Sequence, residues 1–252
     1  MNEAHRQGEY RIRFDWGLVG AEAVAPGVDV AVVVDVLSFS TTVSVALDIG
    51  TEVIPYRWDD GGAADAARRA GAALAVGRSQ AGDDGISLSP GTLRSASPSP
   101  KRLVLPSPNG STIAAALADR AGHCVAACLR NAPAVAEWIA HHAPGATVAV
   151  VAAGERWPDG ALRPAVEDLW GAGYVLDRLG AGEASSGSSP EARAAVAAWR
   201  AITTDVPDTL RDCASGRELI AAGYTGDVEI AAEAAASRSV PLLHDGVFVC
   251  GE

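Results

Sequence analysis

Runs of apolar residues alternate along this chain with segments whose apolar positions recur at helical spacing. The run at 28–36 is rich in β-branched residues, which is typical of a strand buried on both faces of a parallel sheet. Strand and helix alternate at least five times with short connections, which predicts an α/β fold with helices on both faces of a largely parallel or mixed sheet. The predicted strands are 11–15, 28–36, 51–56, 73–76, 102–105, 123–127, 147–152 and a closing pair within 240–249, and the predicted helices begin near 41, 63, 112, 132 and 164.

We expect a single domain over residues 1–252. The mainly helical stretch at about 190–236 could form a subsidiary lobe, because a Gly/Ser-rich segment at 181–189 precedes it as a hinge or surface loop. A second segment, 79–100, is rich in Gly, Ser, Asp and Pro. Loops of that length are usually functional or disordered. Two interpretations stay open for it, a lid that orders over a ligand and a plain surface loop.

The composition limits the partners of the chain. Its 252 residues include 31 acidic and 20 basic side chains, for a net charge of −11. Nucleic acids and anionic membranes are held by clustered Lys and Arg, so we expect neither as a partner, whereas a small anion needs only a local pocket. The first residues lack the apolar core of a signal peptide, and no apolar run approaches the roughly 20 residues that span a bilayer. The four cysteines fit neither a disulfide nor a zinc pattern. These features predict a cytoplasmic protein.

One strand end contains the most informative polar residues. The apolar run at 28–36 includes Asp35 near its end, and hydroxyl residues follow that open an Ala-rich helical segment. Open α/β sheets bind ligands at the carboxyl ends of their strands, and the free N–H groups at a helix start attract anions. Ser40, Thr41 and Thr42 are also good helix caps. A carboxylate that faces an anion-binding turn needs a bridging cation, so we expect a divalent metal that holds a phosphate.

Two further strand-to-helix turns contain the same kind of residues. The turn at 109–112 (Asn-Gly-Ser-Thr) follows the strand at 102–105, and Arg130 and Asn131 follow the strand at 123–127. In a parallel sheet all three turns lie on one edge, so they can converge on one ligand. The alternative for any single turn is that Ser, Thr and Asn cap the helix for structural reasons alone.

A pair of adjacent acids, Glu167 and Asp168, lies in the first turns of the helix predicted to begin near 164. In one interpretation, one of them joins Asp35 around Mg²⁺, a hard cation that prefers carboxylate, water and phosphate oxygens. In the alternative, the helix dipole alone accounts for acids at this position.

Several enzyme classes lack their motifs in this sequence. There is no G-x-x-x-x-G-K-[ST] loop for a nucleoside triphosphate and no G-x-S-x-G elbow for a hydrolase triad. The aspartyl-phosphate pattern of haloacid-dehalogenase phosphatases is also absent, because Leu37 stands where that pattern has a second Asp.

Taken together in chain order, these motifs resemble the 2-phosphosulfolactate phosphatase family. The resemblance covers most of the chain, and it departs from the family pattern at Ser38, where the family has Arg, and at Gly77-Arg78-Ser79, where the family usually has G-E-R. The matching segments are Asp35-Val36-Leu37-x-x-Ser40-Thr41-Thr42 (family D-V-L-R-A-S-T-T), Asn109-Gly110-Ser111-Thr112 (T-N-G-T), Leu129-Arg130-Asn131-Ala132 (L-x-N-A), and Ala153-Gly154 followed by Glu167-Asp168 (A-G…E-D).

The resemblance implies a three-layer α/β/α fold and the Mg²⁺-dependent hydrolysis of a small phosphate monoester, as in coenzyme M biosynthesis. By hypothesis, Mg²⁺ is held by Asp35 and by Glu167 or Asp168, and catalysis is mostly positioning and electrostatic stabilisation. Arg130 or Arg78 would neutralise the charge of the leaving alkoxide. The catalytic candidates are Asp35, Asn109 and Arg130, and the substrate-binding candidates are Ser40, Thr41, Thr42, Gly110, Ser111, Thr112, Asn131 and Arg78.

Two alternative functions and one expectation about assembly stay open at this point. The absence of the family Arg at Ser38 favours a phosphatase for another phospho-hydroxy acid, or a non-catalytic protein that binds an anion on the same fold. The chain also has six tryptophans, some of which could cover a subunit interface and form a homodimer, although filling of the core is the default.

Overall fold

A mixed sheet dominates the computed structural model, which describes residues 2–57, 61–81, 85–183 and 187–251. Its strands in chain order are β1 (Ile12–Trp16), β2 (Val30–Val34), β3 (Glu52–Arg57), β4 (Ala73–Leu74), β5 (Arg102–Ser107), β6 (His123–Ala127), β7 (Val148–Ala152), β10 (Pro241–His244) and β11 (Val247–Cys250), with β8 (Glu155–Arg156) and β9 (Leu162–Arg163) forming a separate hairpin. Across the sheet the order is β1-β7-β2-β6-β10-β11-β3-β5-β4.

The sheet is parallel at both ends and antiparallel in the middle. Strands β1, β7, β2 and β6 pair in parallel, as do β3, β5 and β4. The antiparallel pair β10–β11 joins these two blocks. Its turn contains Asp245 at φ 48° and Gly246 at φ 78°, the left-handed pair that a two-residue hairpin turn requires. The predicted closing strand pair is therefore confirmed.

Helices cover both faces of the sheet, which confirms the predicted three-layer arrangement. The helices in chain order are α1 (Gly17–Val24), α2 (Phe39–Asp48), α3 (Ala63–Ala70), α4 (Pro90–Arg94), α5 (Gly110–Ala118), α6 (Ala132–His142), α7 (Val166–Arg178), α8 (Pro190–Arg200), α9 (Val206–Asp212), α10 (Ala214–Ala221) and α11 (Thr225–Ala231).

Strand β2 shows how one apolar run builds two cores. Val30, Val32 and Val34 point into a core that they share with α6, α7 and α8, whereas Ala31 and Val33 point into a second core formed with α1, α2 and α5. All five side chains are fully buried, because successive residues of a strand face opposite sides of the sheet. Helices α2 and α5 therefore lie on one face, and α6 lies on the other.

The helices within 190–236 pack on the first of these two cores. Ala195 and Trp199 of α8, Leu210 of α9 and Val228 of α11 are buried in the same apolar cluster as the side chains of β2. Their burial connects this stretch directly to the sheet.

Three elements were not expected from the sequence. Helix α1 follows β1 without a side-chain cap, so its start has no polar residue to reveal it. The β8–β9 hairpin consists of two-residue strands, too short for a pattern. Within 79–100, of which 82–84 lie outside the described residues, α4 is capped by the Ser89 hydroxyl and buries Leu93 completely.

The tryptophans divide between core and surface. Trp170 and Trp199 are buried in the first core, whereas Trp157 is 54% exposed; Trp58 lies outside the described residues. Core filling thus accounts for two of them, and the expectation of a homodimer stays a prediction. Among the described residues, no helix has the length and apolar character needed to cross a bilayer.

Candidate active site

Asp35 lies between the starts of two helices. Asp35 directly follows the last residue of β2 and is only 7% exposed. The backbone N–H of Phe39, at the start of α2, donates to Oδ1 at 3.0 Å, and that of Gly110, at the start of α5, donates to Oδ2 at 3.1 Å. A Cβ at Gly110 would lie 2.7 Å from this Oδ2, so only glycine permits the approach. The carboxylate therefore occupies the positive ends of two helix dipoles at once.

A pocket of about 220 Å³ opens beside Asp35 at the carboxyl edge of the sheet. Its position agrees with the prediction that Asp35 and the 109–112 turn converge, although β2 and β5 are not neighbours in the sheet. The polar residues that line it are Asp35, Ser38, Arg78, Ser107, Asn109 and Glu155, and the apolar ones are Leu37, Phe39, Leu88, Leu105, Pro106 and Pro108.

Arg78 supplies a fixed positive charge to this pocket. Its Nε donates to Asp227 Oδ2 at 3.0 Å, its Nη2 donates to Ser38 Oγ at 2.6 Å, and its guanidinium lies 5.3 Å from the centre of the Tyr224 ring. Asp227 is in turn held by the hydroxyl of Ser89. Ser38, which replaces the Arg of the family motif, thus accepts a hydrogen bond from a guanidinium that arrives from another segment. Asp227 was not predicted as a site residue.

Glu155, which the sequence did not reveal as a site residue, also lines the pocket, next to Asn109. Asn109 donates from Nδ2 to Glu155 Oε2 at 3.1 Å, and its Oδ1 accepts from Arg156 Nε at 3.1 Å. Glu155 and Arg156 form the short strand β8 directly after Gly154. The sequence offered one usable sign, since these residues follow a strand end at the ligand-binding edge, but no helix start marks them.

Negative charge accumulates around the pocket. Burial, followed by the nearby charge of Glu167, raises the pKa of Asp35 to about 6, although the Phe39 and Gly110 N–H groups oppose the shift. Burial, followed by the charges of Asp35 and Glu167, raises the pKa of Glu155 to about 7. The same three causes raise the pKa of Asp168 well above its usual value. Such a cluster favours a bound cation or a shared proton.

Glu167 and Asp168 lie behind the pocket rather than on its wall. Both are buried, at 2% and 3% exposure. Asp168 accepts the N–H of Val36 on Oδ1 at 2.7 Å and that of Gly154 on Oδ2 at 2.8 Å, so it joins the chain segments that follow β2 and β7. Within the described ranges, no group of three or more His, Cys, Asp or Glu side chains is arranged to hold a metal. The carboxylates nevertheless fit Mg²⁺ in the chemistry of their donor atoms, and Asp35 lines the pocket whereas Glu167 and Asp168 do not.

The hydroxyl candidates are turned away from the pocket. Thr41, Thr42 and Ser111 donate to backbone carbonyl oxygens at 2.7, 2.9 and 3.0 Å, and Ser40 Oγ accepts the N–H of Asp35 at 3.1 Å. All four are essentially fully buried, and none lines the pocket. They hold the two turns in shape, which is the structural alternative weighed above, and their contacts do not support direct binding of substrate.

The third predicted turn does not join the other two. Arg130 is 4% exposed and pairs with Glu233 and with Asp48, the latter at 2.8 Å, in the second half of α2. Asn131 accepts the N–H of Cys128 at 2.8 Å and donates to backbone carbonyls on its other side. Both residues are committed to these contacts, so the structure does not bring them to the pocket.

The fold and the pocket together describe a class of protein. An α/β/α sheet with carboxylates, an amide and a guanidinium at its carboxyl edge is the arrangement of an enzyme that acts on a small anionic substrate.

Comparisons with known proteins identify the family. The sequence profile described as 2-phosphosulpholactate phosphatase matches residues 21–246. The chain therefore belongs to the 2-phosphosulfolactate phosphatase family, whose members are hydrolases of phosphoric monoesters. Three relatives named probable 2-phosphosulfolactate phosphatase are those of Deinococcus radiodurans (31% identical, covering 86% of this chain and 89% of the relative), Thermotoga petrophila (28%, 88% and 92%) and Thermus thermophilus (32%, 87% and 90%). The resemblance drawn from the motifs is confirmed.

Proposed function

We propose that this protein is a Mg²⁺-dependent phosphatase that hydrolyses a small anionic phosphate monoester. The names of its relatives make 2-phosphosulfolactate the first substrate to test, with 3-sulfolactate and phosphate as products. The observation that supports the proposal best is the position of Asp35, where one carboxylate joins two helix starts on the wall of a pocket.

Arg78 and Asn109, which both line the pocket, bind different parts of the substrate. Arg78 pairs with a phosphoryl or carboxylate oxygen of the substrate, since Asp227 and Tyr224 already hold its guanidinium in place. Asn109, which Glu155 and Arg156 hold in place, orients the reacting group. The fixed dipoles of both helix starts keep Asp35 anionic in a buried place, where electrostatic effects are stronger than in water.

Asp35, together with Glu167 or Asp168, would hold Mg²⁺ in this scheme. The bound ion would neutralise phosphoryl charge and lower the cost of bringing a dianion to a cluster of acids. Asp168 already accepts two backbone N–H groups, whereas Glu167 shares a hydrogen bond with the Cys213 thiol, so Glu167 is the better second candidate.

A second substrate class is favoured by one departure from the family motif. Ser38 replaces an arginine, so among the described residues the pocket is lined by one guanidinium, from Arg78, where the motif would add another. A substrate with both a sulfonate and a phosphate needs several positive groups, whereas a phospho-hydroxy acid without a sulfonate needs fewer. Lactate- or glycerate-type phosphates are therefore the second candidates.

Phosphate release from a panel of small monoesters, measured with Mg²⁺ and with EDTA, tests the proposal. We expect turnover that EDTA abolishes and that excess Mg²⁺ restores. The ranking of phosphosulfolactate against phosphates without a sulfonate shows which substrate class the Ser38 pocket prefers. Ligand-induced thermal stabilisation without release from any monoester would instead indicate an anion-binding protein on the same fold.

A further inference from the structure

Glu155 lies at the boundary between two cavities. Together with Asn109 it lines both the pocket beside Asp35 and an adjacent cavity of about 270 Å³. The first cavity contains the charged groups that suit a phosphoryl group, whereas the second is mainly apolar, with Arg156 as the cation that lines it within the described ranges. The remaining residues that line the second cavity are Trp16, Gly17, Leu18, Val19, Thr112, Ile113, Ala153, Gly160 and Leu162.

The orientation of Glu155 is fixed through its neighbours. A guanidinium only donates hydrogen bonds, so the contact of Arg156 Nε with Asn109 Oδ1 determines which way the Asn109 amide faces. Its Nδ2 then donates to Glu155 Oε2. The carboxyl group thereby has one oxygen that accepts a hydrogen bond and a second, Oε1, that can hold a proton.

We propose that Glu155 is the acid that donates a proton to the leaving-group oxygen of the phosphate ester. This inference rests on the proposed function, with the phosphoryl group in the pocket beside Asp35 and the organic group in the second cavity. The ester oxygen then lies at the boundary where Glu155 stands. Arg156 acts through Asn109 and is a positioning residue.

The proton transfer accompanies an ordinary hydrolysis. The oxygen of a water molecule forms a bond to phosphorus, and the bond between phosphorus and the ester oxygen breaks with its electron pair on that oxygen. The ester oxygen takes the proton of Glu155 and leaves as an alcohol. The attacking water gives one proton to solvent, and solvent returns one proton to Glu155 before the next turnover.

The surroundings of Glu155 support this role. Burial and the negative charges of Asp35, Glu167 and Glu218 raise its pKa to about 7, against the opposing charge of Arg163. Burial is the largest of these causes and does not depend on the charge of a bound metal ion. The carboxyl group therefore keeps its proton more readily than an exposed one and can still release it, which a general acid requires.

The dependence on the leaving group tests the proposal. An alkoxide needs a proton as it departs, whereas 4-nitrophenolate leaves without one. In Glu155→Gln, whose amide oxygen can still accept from Asn109, we expect kcat on the best alkyl monoester to fall by about 100-fold or more, but kcat on 4-nitrophenyl phosphate to fall by less than about 5-fold. The decline of wild-type alkyl-ester activity that loss of the Glu155 proton causes as pH rises should disappear in the variant.

Glu137→Gln is the matched control, since it removes an exposed acid on α6 that lines neither cavity. We expect rates within about 2-fold of wild type on both esters. An equal loss on both esters in Glu155→Gln, or a higher Mg²⁺ requirement, would overturn the proposal and assign Glu155 to structure or to the metal. Wild-type rates on the alkyl ester in Glu155→Gln would overturn this inference alone, and no release by the wild-type protein from either ester would overturn the proposed function with it.

Discussion

Two neighbouring strand-to-helix turns of this protein both contain buried polar residues, but their environments differ. Strands β2 and β6 pair in parallel, and each is followed by buried polar residues and a helix. The turn after β2 opens on the pocket through Asp35. The turn after β6 is covered, because the N–H groups of Ala235 and Ser237 donate to its carbonyl oxygens and Glu233 pairs with Arg130.

The difference follows from the faces of the sheet. Helices α2 and α5 contribute to the same core, so their first residues meet at Asp35 although their strands lie far apart in the sheet. Helix α6 contributes to the opposite core. The position of polar residues at a strand end therefore predicts the edge of the sheet at which they lie. Whether they form a site depends on two further things, which are the face of the sheet on which the next helix packs and the segment that covers the turn.

The largest effect should come from Asp35→Asn. The substitution removes the charge at the two helix starts and leaves a similar shape, so we expect kcat/KM to fall by roughly 10³-fold in Mg²⁺. The free energy of unfolding should change by no more than about 2 kcal/mol, since the amide oxygen still accepts one N–H. Phosphate release and urea unfolding measure the two quantities, and Asp119→Asn, an exposed acid that follows α5, is the control. Activity near wild type would contradict the proposed site.

Arg130→Met should show the opposite pattern for the covered turn. The loss of a buried guanidinium leaves Glu233 with Arg94 and Asp48 with two serine hydroxyls, and both acids are partly exposed, so we expect a loss of about 1–2 kcal/mol in the free energy of unfolding. The rate of the folded protein should stay within about 2-fold of wild type. A large fall in kcat with unchanged stability would place Arg130 in catalysis after all.

Arg78→Ala should weaken substrate binding in the pocket beside the open turn, which Arg78 reaches from another segment. We expect KM to rise by about 10- to 100-fold, because a charge-assisted hydrogen bond contributes roughly 1.5–3 kcal/mol, and Arg78→Lys should recover part of the loss. Arg200→Ala removes an arginine from a surface pair with Asp177 and should leave KM unchanged. An unchanged KM in Arg78→Ala would mean that Arg78 serves only to hold Asp227 and Ser38.

The sequence predicted what depends on local pattern. The apolar runs gave the strands, and the strand ends placed Asp35 and Asn109 at one edge, where the structure brings them together. The contacts of Arg78 could not be predicted from the sequence, because its partner Asp227 lies 149 residues away along the chain. Glu155 was missed for a different reason, since it stands in a two-residue strand that has no periodicity.

The hydroxyl residues of the β2–α2 turn illustrate the limit of composition. Thr41 and Thr42 are what an anion-binding helix start would contain, but the adjacent Asp35 carboxylate takes the Phe39 N–H, and both hydroxyls donate to nearby carbonyl oxygens. The same residue types can bind an anion or hold a turn in shape. Only the direction of each side chain, which tertiary packing determines, distinguishes these two roles.

The smallest predicted effect concerns how the stability of the metal-free protein changes with pH, and it depends on the proton of Glu155. Its pKa is raised from 4.5 to about 7 in the folded protein, so the folded state binds the proton more tightly than the unfolded state. The wild type should therefore lose stability as pH rises from about 4.5 to 7, whereas Glu155→Gln has no proton to lose. Because Glu155 is partly exposed, we expect the variant to gain only about 1–2 kcal/mol relative to wild type between pH 4.5 and pH 8. Urea unfolding in EDTA at both pH values, with Glu137→Gln, which removes an exposed acid on α6, as the control, measures it. An equal difference between variant and wild type at both pH values would mean that Glu155 is an ordinary surface acid.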